Sequence, residues 1–493
     1  MIQKIKSFLF KNTSAKQTVA KNTVWLSISN FGGRIIKAGV IIYAARVLGT
    51  DGYGVFSYAI TLSGFLTLFM DPGINGILVR EGSKADEAER REIFSTTLVI
   101  KLILLAVGVS VVLFLAPFFS TLPGAREILP IVAAILSLDT LREFFTSLLR
   151  AKEKMEWDAA IFLFTNLGIL VFGFAFLHIE TSPRALSWAY VAGDILGISL
   201  VLWLIRKYFT RFYQYFSIKR VWPIINAAWP FAVTGALGVL LTNTDILIIS
   251  WMGTASDVGI YSAAIRIVQI LYLVPMVLQF STLPLFSRLA HKDDARFRLA
   301  LERTVSLVFL LSIPLTLGGV ILGTPIMALL FGAAYQSGGF AFKLLMVTLL
   351  FDFPAAIVSS AMFAYNNQRS LIISSAIGGF VNVVLDLFFI PHWGIAGSAI
   401  ATIIASAASN SYLWHAMRKT NYFSVMGRLK KMIPAGVIMG IATLLLSILH
   451  ISLILNIVLS AGIYLLALKM LREPLLWELK QIISPTAENA ARP

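Results

Sequence analysis

Apolar runs of about 20 residues recur along nearly the whole chain, and each is long enough to cross a bilayer as one helix. They fall near 22–47, 54–79, 93–118, 127–149, 157–178, 185–205, 224–250, 257–287, 302–324, 341–365, 370–390, 394–416, 432–449 and 451–470, the last two sharing a tight turn near His450. Backbone polar groups in hydrocarbon must find their partners within the protein. The runs therefore predict an all-α integral membrane protein of about fourteen transmembrane helices. Composition agrees: in a chain of 493 residues, 58% hydrophobic and 13% charged leaves too little polar surface for a soluble fold.

The loops between the runs test that count. Arg80, Lys84, Arg90 and Arg91 follow the second run, and Arg150, Lys152 and Lys154 follow the fourth. Arg206, Lys207, Arg211, Lys219 and Arg220 lie between the sixth and the seventh. The loops of the opposite set hold only Arg126 and Arg184. Bases collect on the cytoplasmic side of a membrane, so both termini are expected there. The same rule absorbs the formal charge of +16 without invoking nucleic acid. Met1 to Lys21 looks like the basic start of a leader, but the apolar stretch after it is too long and holds Arg34 and Lys37, so no cleaved leader is expected.

Several chemistries have no foothold. The chain has no cysteine, its five histidines are scattered, and no phosphate-binding or dinucleotide-binding glycine loop is present. No cofactor and no metal site is expected. The loops are also too short for a folded catalytic domain, which argues against a membrane-bound polymerase or ligase.

An internal echo organises the helices. Leu48-Gly49-Thr50 leads to Tyr53-Gly54-Val55, and Met252-Gly253-Thr254 leads to Val258-Gly259-Ile260 with one residue inserted. Phe164-Thr165-Asn166 is echoed by Phe380-Val381-Asn382. The matches follow helix order and predict two six-helix bundles related by a parallel repeat, with two helices left over. The expected divisions are a basic segment 1–21, bundles 22–206 and 224–416 joined by a linker 207–223, accessory helices over 430–471, and a tail 472–493.

Across residues 20–420 the chain resembles Wzx-type polysaccharide flippases of the multidrug/oligosaccharidyl-lipid/polysaccharide exporter superfamily. The first half carries Ala45-Arg46-Val47-Leu48-Gly49, Asp71-Pro72-Gly73-Ile74 and Val79-Arg80-Glu81. The second half carries Leu330-Phe331-Gly332, Ala364-Tyr365-Asn366-Asn367-Gln368-Arg369 and Gly394-Ile395-Ala396-Gly397-Ser398-Ala399. Asp386 departs from the pattern, which leads to a neutral polar residue there. The resemblance implies a central cavity between the bundles that opens alternately to each side. It also implies a polyprenyl-pyrophosphate-linked oligosaccharide as cargo, membrane lipid around it, the inner (cytoplasmic) membrane as location, and proton or sodium coupling. Polysaccharide-assembly proteins would be its partners. The rival readings are a peptidoglycan-precursor flippase and a multidrug or organic-cation antiporter.

Charges within the runs are the candidate functional residues, because an ionisable group at membrane depth is costly. Arg34 and Lys37 stand mid-run on one helix face, Arg266 lies on the eighth run and Arg142 on the fourth, where Asp139 is spaced for a local pair. A pyrophosphate needs fixed donors and positive charge, so these four bases are the expected cargo-binding set. Asp71, Asp194, and Asp245 with its neighbour Asn243 are the expected ion-coupling set. Lys101 stands a third of the way along its run, and Arg46, Arg303 and Lys343 near run ends are expected to snorkel outward.

Overall fold

The computed structural model describes residues 15–66 and 70–475; the start of the basic segment and most of the tail lie outside them. The described residues contain helices and no strand. Each apolar run is helical over most of its described residues. The elements are α1 (Ala15–Leu66), α2 (Ile74–Gly82), α3 (Glu87–Phe114), α4 (Pro123–Ala151), α5 (Met155–Ile179), α6 (Pro183–Ile205), α7 (Ile218–Met252) and α8 (Ala255–Leu271). They continue as α9 (Leu273–Leu289), α10 (Asp294–Phe331), α11 (Gly339–Val347), α12 (Leu349–Ala364), α13 (Gln368–Thr420), α14 (Met426–Ile448) and α15 (Leu453–Met470).

Two of these helices run through a join between expected spans: α13 contains two whole spans, and α1 contains the first and the start of the second. In α1 they are joined at Gly49, whose φ of 68° and ψ of −176° are open essentially to glycine alone. In α13 the join is at Gly394. Other spans are broken. The second is interrupted between α1 and α2 at Asp71-Pro72-Gly73, the eighth at Tyr272 and the tenth at Thr348. Pro275 and Pro354 follow the last two breaks and remove helix hydrogen bonds there. Among the described residues, nine helical segments are long and apolar enough to cross a membrane by length and composition alone.

By proximity the helices form two compact units, one reaching residue 270 and one starting at 271. In the first, α5 packs on α1 and α6, and α4 packs on α6. Helices α7 and α8, which the repeat assigns to the second bundle, group with this unit. The echoed turns meet inside it. A Cβ on Gly54 would stand 1.8 Å from the carbonyl oxygen of Ala255, and one on Gly259 would stand 2.0 Å from that of Thr50. The contact is thus reciprocal: each copy of the motif offers a glycine to the carbonyl of the other. Ser256 donates a hydrogen bond to Thr50 across it at 2.8 Å.

In the second unit α10 packs on α11, α12 and α14, and α14 packs on α15. Leu310, Ile313, Met432, Met439 and Tyr464 form a core that fixes the two accessory helices to α10. A polar ladder ties α14 to α15: Thr443 donates to Ser460 at 2.8 Å, and Asn456 donates to the Thr443 carbonyl at 3.1 Å. Small polar residues bridge helices in this way where lipid removes the hydrophobic drive between them.

Candidate functional site: two cavities that share Lys37

Lys37 is exposed on α1 and borders two cavities of the first unit. The smaller, of about 70 Å³, lies between both halves of α1, α6 and α8. Its charged residues are Lys37 and Arg266, its hydroxyls belong to Tyr53, Ser57 and Tyr190, and among the described residues no carboxylate lines it. Arg266 donates to the neutral Gln269 at 2.9 Å. Among the described residues neither Lys37 nor Arg266 is in an ion pair. Two bases without acids, set beside three hydroxyls, suit an anion.

The larger cavity, of about 280 Å³, holds Lys37, Arg142 and Arg150 together with Asp139, Glu143 and Asp194. Here the charges balance. Arg142 is buried, pairs with Asp139 one turn back, and lies 5.8 Å from the centre of the Phe162 ring. Its Nε has no hydrogen-bond partner among the described residues. Arg150 is 3.8 Å from Glu143 and 2.8 Å from Asp158. These carboxylates already offset their bases.

The other expected residues are dispersed. Arg34 is exposed one turn before Lys37 and lines neither cavity. Asp71 faces Lys101 at 3.3 Å, so Lys101, wholly buried, turns inward to an acid instead of snorkelling. Asp245 accepts a 2.5 Å hydrogen bond from Tyr261, with Asn243 half-buried two residues earlier. The cavity that Asp194 lines includes neither Asp71 nor Asp245, and the described residues hold no cluster of three or more His, Asp and Glu side chains fit for a metal ion. Tyr190 and Ser57 were not anticipated, since a hydroxyl inside an apolar run leaves the hydropathy almost unchanged.

Outside the spans, ahead of the apolar part of α3, Arg220 reaches Glu89 at 3.1 Å and Glu92 at 3.0 Å. The Arg220 hydrogen bond holds the Glu92 carboxyl below its usual range.

The family model described as "Polysaccharide biosynthesis protein" matches residues 19–290. A protein of Haloferax volcanii named "Probable low-salt glycan biosynthesis flippase Agl15" is 23% identical over 436 residues, which is 86% of this chain and 90% of that one. The "Succinoglycan biosynthesis transport protein ExoT" of Rhizobium meliloti is 25% identical over 331 residues, 65% of this chain and 64% of that one. Among solved structures, "Lipid II flippase MurJ, inward closed conformation" superposes with a TM-score of 0.75 at 19% identity, covering 92% of this chain and 100% of the other. That likeness is one of fold.

Proposed function

The chain belongs to the polysaccharide biosynthesis protein family, and from that premise we propose that it moves a polyprenyl-pyrophosphate-linked oligosaccharide from the cytoplasmic to the outer leaflet of the inner membrane. The observation that carries the reading is the acid-free cavity bordered by Lys37 and Arg266. At about 70 Å³ it is small beside an oligosaccharide, so in this reading it takes phosphate oxygens rather than sugars. Arg266 offers a planar fork to a phosphate and Lys37 a mobile point charge. An organic-cation antiporter would place acids where these bases stand.

Arg142, already offset by Asp139, positions the wall of the neighbouring cavity in this reading, and Arg34 serves the approach of the headgroup. Both termini are cytoplasmic. Coupling to a proton or sodium gradient runs through acids within the spans, with buried Asp194 and Asp245, the latter beside Asn243, and half-buried Asp71 as the candidates in the first unit. Polysaccharide-assembly proteins would receive the cargo. A peptidoglycan precursor carries the same linkage to its lipid, so the cavity reads the pyrophosphate and not the glycan.

Rescue of strains that lack a defined flippase tests this. Export restored in a strain lacking a surface-polysaccharide flippase, and lost again in the Lys37→Ala, Arg266→Ala form at matched protein level, supports the reading. Rescue of a multidrug-sensitive strain without rescue of any glycan-flippase strain contradicts it.

A further inference from the structure

The second unit holds a carboxylate met by three neutral donors. Asp352 lies in the opening turn of α12, and its amide donates to Thr348 at 2.9 Å. Three neutral groups donate to its carboxyl oxygens. The Tyr272 hydroxyl reaches Oδ2 at 2.5 Å, Ser406 Oγ reaches the same oxygen at 3.3 Å, and Asn410 Nδ2 reaches Oδ1 at 2.7 Å. Asp71, Asp139, Asp158 and Glu156 each face a Lys or Arg, whereas Asp352 is in no ion pair among the described residues.

We infer that Asp352 is a proton-carrying group of the transport cycle, whose charge state sets how α12 is tied to α9 and α13. The inference rests on the transport reading above.

The donor set is built for the ionised form. Three hydrogen bonds to a charged acceptor, together with the start of a helix, offset the cost of a carboxylate at membrane depth. Among the described residues no Lys or Arg pairs with it, and a proton is the counter-charge that fits between the carboxyl oxygen and a hydroxyl 2.5 Å away. A metal ion fits poorly, because its oxygen contacts of about 2.3–2.6 Å for calcium, or about 2.0–2.1 Å for magnesium, would have to wedge into an oxygen–oxygen gap of 2.5 Å.

When a proton binds, one carboxyl oxygen becomes a donor. The two hydroxyls on Oδ2 can rotate to accept or let go, but the Asn410 amide nitrogen cannot accept at all. The proton therefore belongs on Oδ2, where it turns one hydroxyl tie around, leaves Oδ1 to accept from Asn410, and lowers the remaining ties from charge-assisted to neutral strength. Those ties join the residue capping the start of α9 (Tyr272), the first turn of α12, and residues one turn apart on α13 (Ser406 and Asn410). The network also borders open volume, since Asn410 lines a groove of about 700 Å³.

The charged and titratable groups around it are few. Tyr272 comes from α9, while α13 places His415 and Arg418 farther along that groove. To the same groove α10 and α14 present uncharged side chains. Lys343 of α11 has its stem beside Gly323 of α10.

The test uses full-length protein reconstituted in liposomes. Infrared titration follows the carboxyl carbonyl band that appears on acidification. The native protein should show a component absent from Asp352→Asn and retained in Asp352→Glu. Tyr272→Phe removes one tie and keeps the acid, so it should move the midpoint of that component. In transport of a polyprenyl-pyrophosphate sugar, an imposed pH gradient should accelerate the native protein and leave Asp352→Asn unaffected. Failure of the native protein to move that cargo would overturn the transport reading, while the infrared arm would still report on the proton site. An identical band in Asp352→Asn, or, should that variant fail to insert, an unmoved midpoint in Tyr272→Phe, would overturn the inference.

Discussion

Two cavities meet at Lys37 and differ in one respect. In the larger, every base other than Lys37 has a carboxylate against it. In the smaller, Lys37 and Arg266 have none. Removing charges from water is costly unless they are matched. A matched set needs no ligand, while an unmatched pair of bases in a partly enclosed space is poised for an anion. Position alone ranked Arg34, Lys37, Arg142 and Arg266 together; pairing sets Arg142 apart, and Arg34 lines neither cavity.

The largest expected effect is the loss of both unmatched bases. Each charge-assisted hydrogen bond to cargo contributes about 1.5–3 kcal/mol, so Lys37→Ala or Arg266→Ala alone should weaken function about 10- to 150-fold, and the double variant should fall further. Arg34→Ala should cost less than either, because Arg34 lines neither cavity. Headgroup-dependent flipping in liposomes measures this, and an Arg34 effect equal to that of Arg266 would break the comparison.

The contact that brings the bases together comes next. Gly259 lies two turns before Arg266 on one face of α8 and is pressed against Thr50. Gly54→Ala or Gly259→Ala must part the two turns, at about 1–3 kcal/mol. The smaller cavity should open and the balanced one should not. The chain has no cysteine, so a Thr50→Cys, Ser256→Cys pair can report the distance. Cross-linking should be efficient with native glycines and fall sharply with Gly54→Ala.

A rescue experiment sharpens the contrast further. Arg142→Ala strands Asp139 and should lower thermal stability, and adding Asp139→Ala should recover much of that loss. Lys37 shares the larger cavity with Asp139, Glu143 and Asp194 but is in an ion pair with none of them among the described residues, so no one acid should give the same rescue. The smallest effect concerns the loop clamp. Because the Glu92 carboxyl is held low by Arg220, its stabilisation is present above the ordinary carboxylate pKa of about 4.3 and is lost as pH falls through the folded value. Between neutral and acid pH, Arg220→Ala should flatten the decline in thermal stability slightly.

Much of the fold was legible because the bilayer constrains it: a span must be apolar and helical, and the apolar runs are helical over most of their described residues. The break at Asp71-Pro72-Gly73 could be read from proline and glycine chemistry. The bases were legible because a charge inside an apolar run stands out. Their partners were not. Lys101 finds Asp71, and Lys21 finds Glu156 at 2.9 Å across 135 residues of sequence, by helix packing that periodicity does not encode. The hydroxyls of Ser57 and Tyr190 carry no charge to mark them. The echo of Gly54 in Gly259 was visible as a repeat, but nothing in the sequence said that the two copies touch.

Equilibrium binding of a polyprenyl-pyrophosphate sugar to the purified full-length protein tests the central claim most directly. It should be run beside the same lipid bearing an uncharged headgroup, for the native protein and for Lys37→Ala, Arg266→Ala. The native protein should prefer the pyrophosphate at least about tenfold, and the double variant should lose this preference while keeping its affinity for the uncharged lipid. An unchanged preference in a correctly inserted double variant would contradict that claim and return Lys37 and Arg266 to a structural role.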